Sequence, residues 1–187
     1  AGDIAGYTIM LEPLIVNIYL SILRDIFGKK LSDLFSEKRK DREFSYKTDI
    51  SIIKKYDGLK EKIECELGIA ELKDSTFISD NILIATIKYF IEKNESEILQ
   101  KMDLEYFSDF SNTLHKIKEV RNMIAHSLKT INRDDFNSEA KVGIDTINKE
   151  IIDFFEKYYT DFGYEESMIC VYDEINKIAN EILETEK

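Results

Sequence analysis

Proline occurs once in the 187 residues, at Pro13, glycine seven times and tryptophan not at all. Hairpins draw on Gly, Asn-Gly or Pro chemistry, so this scarcity argues against a many-stranded sandwich or barrel, and no sheet is expected. Cysteine is scarce too, with two residues. Cys65 and Cys170 stand far apart with no Cys-x-x-Cys spacing, which points away from zinc and from a redox dithiol. Both are expected as reduced, partly buried thiols of a cytosolic protein. Long apolar runs are missing too. The stretch Leu14–Leu23 is broken by Asn17 and Ser21 and ends at Arg24, too short to span a bilayer. The start, Ala1-Gly2-Asp3, has no charged n-region and does not read as a signal peptide. A cytoplasmic protein with no membrane partner is the resulting expectation.

Familiar catalytic signatures are absent as well. There is no His-Glu-x-x-His, no Gly-x-x-x-x-Gly-Lys and no Gly-x-Ser-x-Gly. A di-iron bundle would need Glu three residues before a histidine, where this chain has Asn112 and Met123. No metal and no cofactor are expected. Net charge is −11, which disfavours general coating of nucleic acid or anionic membrane. The acidity is concentrated, however. Residues 134–187 hold 15 acidic and 5 basic side chains, so the preceding part is nearly neutral and can carry local basic surface.

What is present is helical material. Lys, Glu, Ile and Leu dominate, 43% of residues are hydrophobic and 34% charged, and no internal repeat or low-complexity linker interrupts the chain. The fold class expected is all-α, an antiparallel bundle of about five to six helices. Residues 1–47 are expected as an N-terminal helix, from Pro13 to Phe27, followed by a charged connection containing Lys38-Arg39-Lys40-Asp41-Arg42. Residues 48–187 are expected to form the bundle, with that first helix packed on it. A second helix should run from Thr48 or Asp49 to Leu67, with Gly58 marking a break and Gly68 the stop. A third should open at Ser79 or Asp80 and end at Asn94. A fourth should span Ser108 to Leu128. A fifth should open at Asn137 or Ser138 and carry Ile144, Ile147, Ile151, Phe154 and Tyr158. A sixth should cover Glu165–Leu183. The aromatic residues are mostly at helical spacing and read first as core, although Tyr158, Tyr159 and Tyr164, near a chain turn, are candidates for exposure.

The fourth helix carries the chemistry. At 100° per residue, Phe110, Leu114, Ile117, Val120, Ile124 and Leu128 form one apolar stripe, with Arg121 inside its edge. A guanidinium there needs a partner, and none of the positions three or four residues away is acidic. Its partner must come from another helix, another chain or a bound anion. Asn122 and His126 are four apart, so the amide can orient the imidazole. Lys118, Lys129 and His115 flank the same face. From Leu114 to Arg133 five basic residues, Lys116, Lys118, Arg121, Lys129 and Arg133, face one acid, Glu119. That pattern suits a phosphate-binding surface, with Lys118, Lys129 and Arg133 as RNA-binding candidates. A solvated basic face and a structural ion pair at Arg121 are the plainer alternatives. His115 lies about 16 Å from His126 along the axis and cannot share its site within one chain. The Lys38–Arg42 run reads first as a solvated loop.

Lys118-Glu119-Val120-Arg121-Asn122-Met123-Ile124-Ala125-His126 resembles the signature of the HEPN superfamily: Arg, a polar residue directly after it, and His after four to six residues. The resemblance implies a metal-independent endoribonuclease that works as a homodimer, with Arg121, Asn122 and His126 as its catalytic set. It implies attack by the RNA 2′-hydroxyl on the adjacent phosphate, leaving a 2′,3′-cyclic phosphate and a 5′-hydroxyl. It implies a toxin or anti-phage defence effector, and it admits an antitoxin or other regulatory protein as partner. Family branches whose Tyr follows the His by two residues are regulated through that Tyr. Leu128 stands there in this chain, so that scheme is not supported. Some members have lost activity and serve as helical dimerisation modules, which is the alternative function.

Overall fold

The computed structural model describes residues 14–40, 43–95, 102–127 and 132–159. The side chains at 37–40, 43–45, 121 and 124–127 lie outside the described set, as do Cys170, Tyr164 and the whole of the sixth expected helix. The chain divides into two compact units, residues 1–147 and 148–187.

The all-α class is observed. Helix α1 covers residues 14–26, its last part, Ile22–Ile26, widening into a π-helical turn. Ile18, Tyr19, Ile22, Leu23 and Ile26 are buried along it, and Gly28 follows with φ +62°. The short α2, Leu31–Leu34, comes next. The expected Thr48–Leu67 helix is two helices. Asp49 caps α3, Ile50–Ile53, by accepting hydrogen bonds from the backbone N–H groups of Ser51 and Ile52. Gly58, at φ +85°, then re-aims the chain into α4, Leu59–Leu67, and Gly68 ends it at φ +63°. Both glycines occupy left-handed backbone that side chains with a Cβ avoid.

Helix α5, Asp80–Lys93, matches expectation at both ends. The Ser79 hydroxyl caps it and Asn94 terminates it in left-handed conformation. Its burial is unusual in extent: Ile82, Leu83, Ala85, Thr86, Ile87, Tyr89 and Phe90 are all buried. Positions spread so far around the axis mark a helix enclosed by others rather than one with a single apolar stripe. The Thr86 hydroxyl, buried among them, donates to the Ile82 carbonyl at 2.7 Å. From α1, Phe27 stacks on Phe90 at 5.8 Å between centroids. Helix α4 lies antiparallel to α5, tied by Lys62–Glu92 at 2.7 Å and Lys88–Glu66 at 2.9 Å.

The expectation of no sheet is corrected. Strands β1, Ser36–Lys40, and β2, Glu43–Lys47, form an antiparallel hairpin, pairing Ser36 with Lys47 and Arg39 with Phe44. This is the segment expected as a charged connection. A remote stretch supports it. Lys47 bridges to Phe77, the Ile78 N–H donates to the Tyr46 carbonyl at 3.1 Å, and the Thr48 hydroxyl donates to the Lys73 carbonyl at 2.6 Å. Backbone pairing from thirty residues downstream leaves no trace in local periodicity, which is why the strand was not expected.

Helix α6, Leu104–Ser127, begins a turn earlier than expected, because Asp103 accepts from the Tyr106 N–H at 2.9 Å and so starts it. The fifth expected helix is also two. Asn132 and Asp135 form a reciprocal capping box that opens α7, Arg133–Ala140. Lys141, at φ +54°, ends it, and α8, Ile144–Tyr159, follows. Asn137, expected as the opening cap, sits inside α7, and its side chain accepts from the Ile144 N–H at 3.2 Å. Two other expectations are corrected. Cys65 is exposed, on the outer face of α4, and Tyr158 and Tyr159 are buried. No helix among the described residues is long and apolar enough to cross a membrane.

Two predictions follow from these contacts. A Cβ at Gly58 would meet nothing within 4 Å, so Gly58→Ala tests the backbone alone. The substitution should lower stability by about 1–2 kcal/mol, seen as a lower urea midpoint at unchanged m value. Glu66 is subject to opposing influences. Partial burial, the largest, pushes its carboxyl up, but Lys88 and Lys62 outweigh it and leave the group below its ordinary value. A carboxyl lowered in the folded state stabilises above the unfolded value and loses that contribution as pH falls through the folded one. Glu66→Gln should therefore flatten the loss of urea midpoint between about pH 5 and pH 3.

Candidate active site

The apolar stripe of α6 is observed as far as the described side chains reach. Phe107, Phe110, Leu114, Ile117 and Val120 are buried, and Ser111 and Thr113 with them. Tyr19 of α1 meets Phe107 edge-on, with centroids 6.3 Å apart. The motif follows directly on this buried stretch. The backbone of Arg121, Asn122 and His126 is helical throughout, in the last two turns of α6. Asn122 is half-buried. The side chains of Arg121 and His126, and all of Lys129, lie outside the described residues. His115 is exposed, as expected for a surface residue.

Lys118 has a different setting from the one expected. It makes an ion pair and hydrogen bond with Asp80, the first residue of α5. The Asp80 side chain is 8% exposed and that of Lys118 31%. A buried carboxylate needs charge or donors around it, and Lys118 supplies both. Tyr19 is close enough to feel the same carboxylate. Burial first, and then the charge of Asp80, hold its phenol far above the usual tyrosine range. The Lys118–Asp80 pair thus ties α6 to α5 one turn before the motif.

Sequence reasoning missed Asp80 as a site residue. Its only local signal was an acid after a Ser at a helix start, which reads as capping. The partner is 38 residues away.

Arg133 sits differently again. It is the first residue of α7, 54% exposed, and it pairs with Asp145, which is 84% exposed. Both partners reach water, so the pair is labile.

A helical bundle whose longest described helix ends in Arg-Asn-x-x-x-His is of the HEPN class. The chain matches the Cas_Csm6 HEPN domain over residues 1–179 and belongs to that family. No curated protein and no solved structure matches it. Membership indicates an RNase-type defence effector, with RNA as the molecule it meets.

The two ion pairs should separate in stability. Lys118→Met leaves the Asp80 carboxylate buried without its partner and should destabilise by about 2–3 kcal/mol, below the fully buried range because the ammonium is partly solvated. Arg133→Met should change stability by less than about 0.5 kcal/mol. Urea titration of both variants at neutral pH measures the contrast.

Proposed function

We propose that this chain is a metal-independent endoribonuclease that cleaves RNA as a homodimer. The observation that carries the reading is the Arg121-Asn122-x-x-x-His126 motif in the final turns of α6, within a domain of the Cas_Csm6 HEPN family. RNA brings its own nucleophile, the 2′-hydroxyl beside the scissile phosphate. The protein has to move protons and to stabilise the charge that gathers on the phosphorane. An imidazole titrates near neutrality and suits the first task, which falls to His126. A guanidinium matches two phosphate oxygens at once and suits the second, which falls to Arg121. Asn122, one turn before His126, orients the ring.

Cleavage needs both a base for the 2′-hydroxyl and an acid for the departing 5′-oxygen. One motif supplies one histidine. Two-fold pairing of chains brings a second copy and gathers the local basic residues into one groove, although the protein as a whole is acidic. Arg133 can contribute there, because an exposed pair with Asp145 exchanges readily for a phosphate. Lys129 is assigned to the same surface. Lys118, the remaining RNA-binding candidate, is committed to Asp80 in the free protein. A defence effector acting in the cytoplasm is the biological setting this reading supports, with an antitoxin or regulatory protein as a further partner class.

His126→Ala should abolish cleavage of mixed tRNA and mRNA while leaving folding and self-association intact. Activity of the wild type should persist in excess EDTA and should vary with pH around neutrality. Equal cleavage by wild type and His126→Ala would overturn the assignment.

A further inference from the structure

The apolar stripe of α6 holds the helix against its neighbours without direction. Phe107, Phe110, Leu114, Ile117 and Val120 fix which face of the rod is buried. A charge-assisted hydrogen bond adds a specific partner, because an arrangement of the rod that loses it leaves a buried carboxylate without a counter-charge. Lys118 to Asp80 is such a bond, and it runs from α6 to α5. Its acidic end is well fixed. Asp80 is the first residue of a helix capped by Ser79 and buried on most of its faces, so the carboxylate is mounted on the most enclosed element of the fold. Its basic end lies three residues before Arg121 and four before Asn122, on the adjoining turn of the same rod. Side-chain tips stand about 5–6 Å from a helix axis, so a 20° rotation moves them by about 2 Å. A misplacement of about 1 Å can cost about a hundredfold in rate.

We propose that Asp80 is a positioning residue for the ribonuclease motif. Through Lys118 it sets the rotation and axial register of the α6 turns that present Arg121, Asn122 and His126. This rests on the endoribonuclease reading for its consequence in catalysis, but the register itself is a property of the fold. Buried ionic groups are best attested in this role, specifying one arrangement among several of similar stability. The assignment also separates Lys118 from the residues that hold RNA. A lysine that touches phosphate contributes to binding and to its salt dependence. A lysine that sets helix register acts on turnover.

Asp80→Asn and Asp80→Glu, made in the full chain, distinguish these roles. For Asp80→Asn, kcat on RNA should fall at least tenfold, with KM within about twofold and the salt dependence of binding unchanged. Asp80→Glu keeps the charge and should recover most of that loss. A rise in KM at constant kcat, or a shallower salt slope in Lys118→Met, would place Lys118 on RNA instead and overturn the proposal.

The chain has only two histidines, which provides a readout independent of activity. The imidazole carbon-bound proton signal of His126, assigned by its loss in His126→Ala, should shift in Asp80→Asn. If the wild type proves unable to cleave RNA, the proposed function fails while this spectrum still decides the register. An unmoved His126 signal in Asp80→Asn sinks the proposal whether or not RNA is cut. Should Asp80→Asn not fold, the same comparison is made with Lys118→Met, which breaks the same bond from the α6 side and must move the His126 signal.

Discussion

A helix with buried residues around about half of its circumference needs neighbours on more than one side, and α5 is such a helix. Ile82, Leu83, Ile87 and Phe90 lie at angles too different for a single partner to cover. The rest of the first compact unit is arranged by that demand. Helix α1 supplies Phe27 to Phe90, α4 lies antiparallel along it and is latched by two ion pairs, and α6 reaches its N-terminal end. Burial on this scale stabilises by about 2–3 kcal/mol for each large side chain. Polar ties then select one arrangement. On the α4 side they are lysine–glutamate pairs near solvent. On the α6 side the tie is to a carboxylate 8% exposed. The difference matters because a shielded pair is screened less and holds its geometry more strictly than one at the surface.

Local signals carried most of the helical plan. The Ser79 cap and Asn94 stop of α5, and the breaks at Gly58 and Gly68, were all readable because each acts within one turn of itself. The hairpin was not. Its second strand depends on Thr48 and on the backbone at 76–78, a pairing that no local window contains. The division between α7 and α8 was missed for a related reason. Asn132 and Asp135 cap reciprocally, but the apolar period runs on from Phe136 to Ile144 and Ile147 and hides the stop at Lys141. Apolar spacing reports which residues are covered and is silent about where the backbone bends.

The candidate site divides along the same line. Arg121, Asn122 and His126 were legible because they are close in sequence on one rod, and their spacing carries the family pattern. The apolar stripe that mounts them was equally legible, and its described members are buried. The setting of Lys118 was not. Counted along α6 it is one more positive charge on a basic face. Counted in space it neutralises an acid from another helix, so the local excess of charge available to a polyanion is smaller than the sequence count of that face. The same holds for Arg133, although less strictly, since its acid is exposed and its bond labile.

That reassignment bears on how an acidic protein could hold RNA. If every basic residue between Leu114 and Arg133 faced the substrate, affinity would come from a broad patch and fall steeply with salt. With Lys118 paired to Asp80, the positive charge free to meet RNA is smaller than that count. Fewer free cations mean fewer phosphate contacts and a shallower fall of affinity with salt.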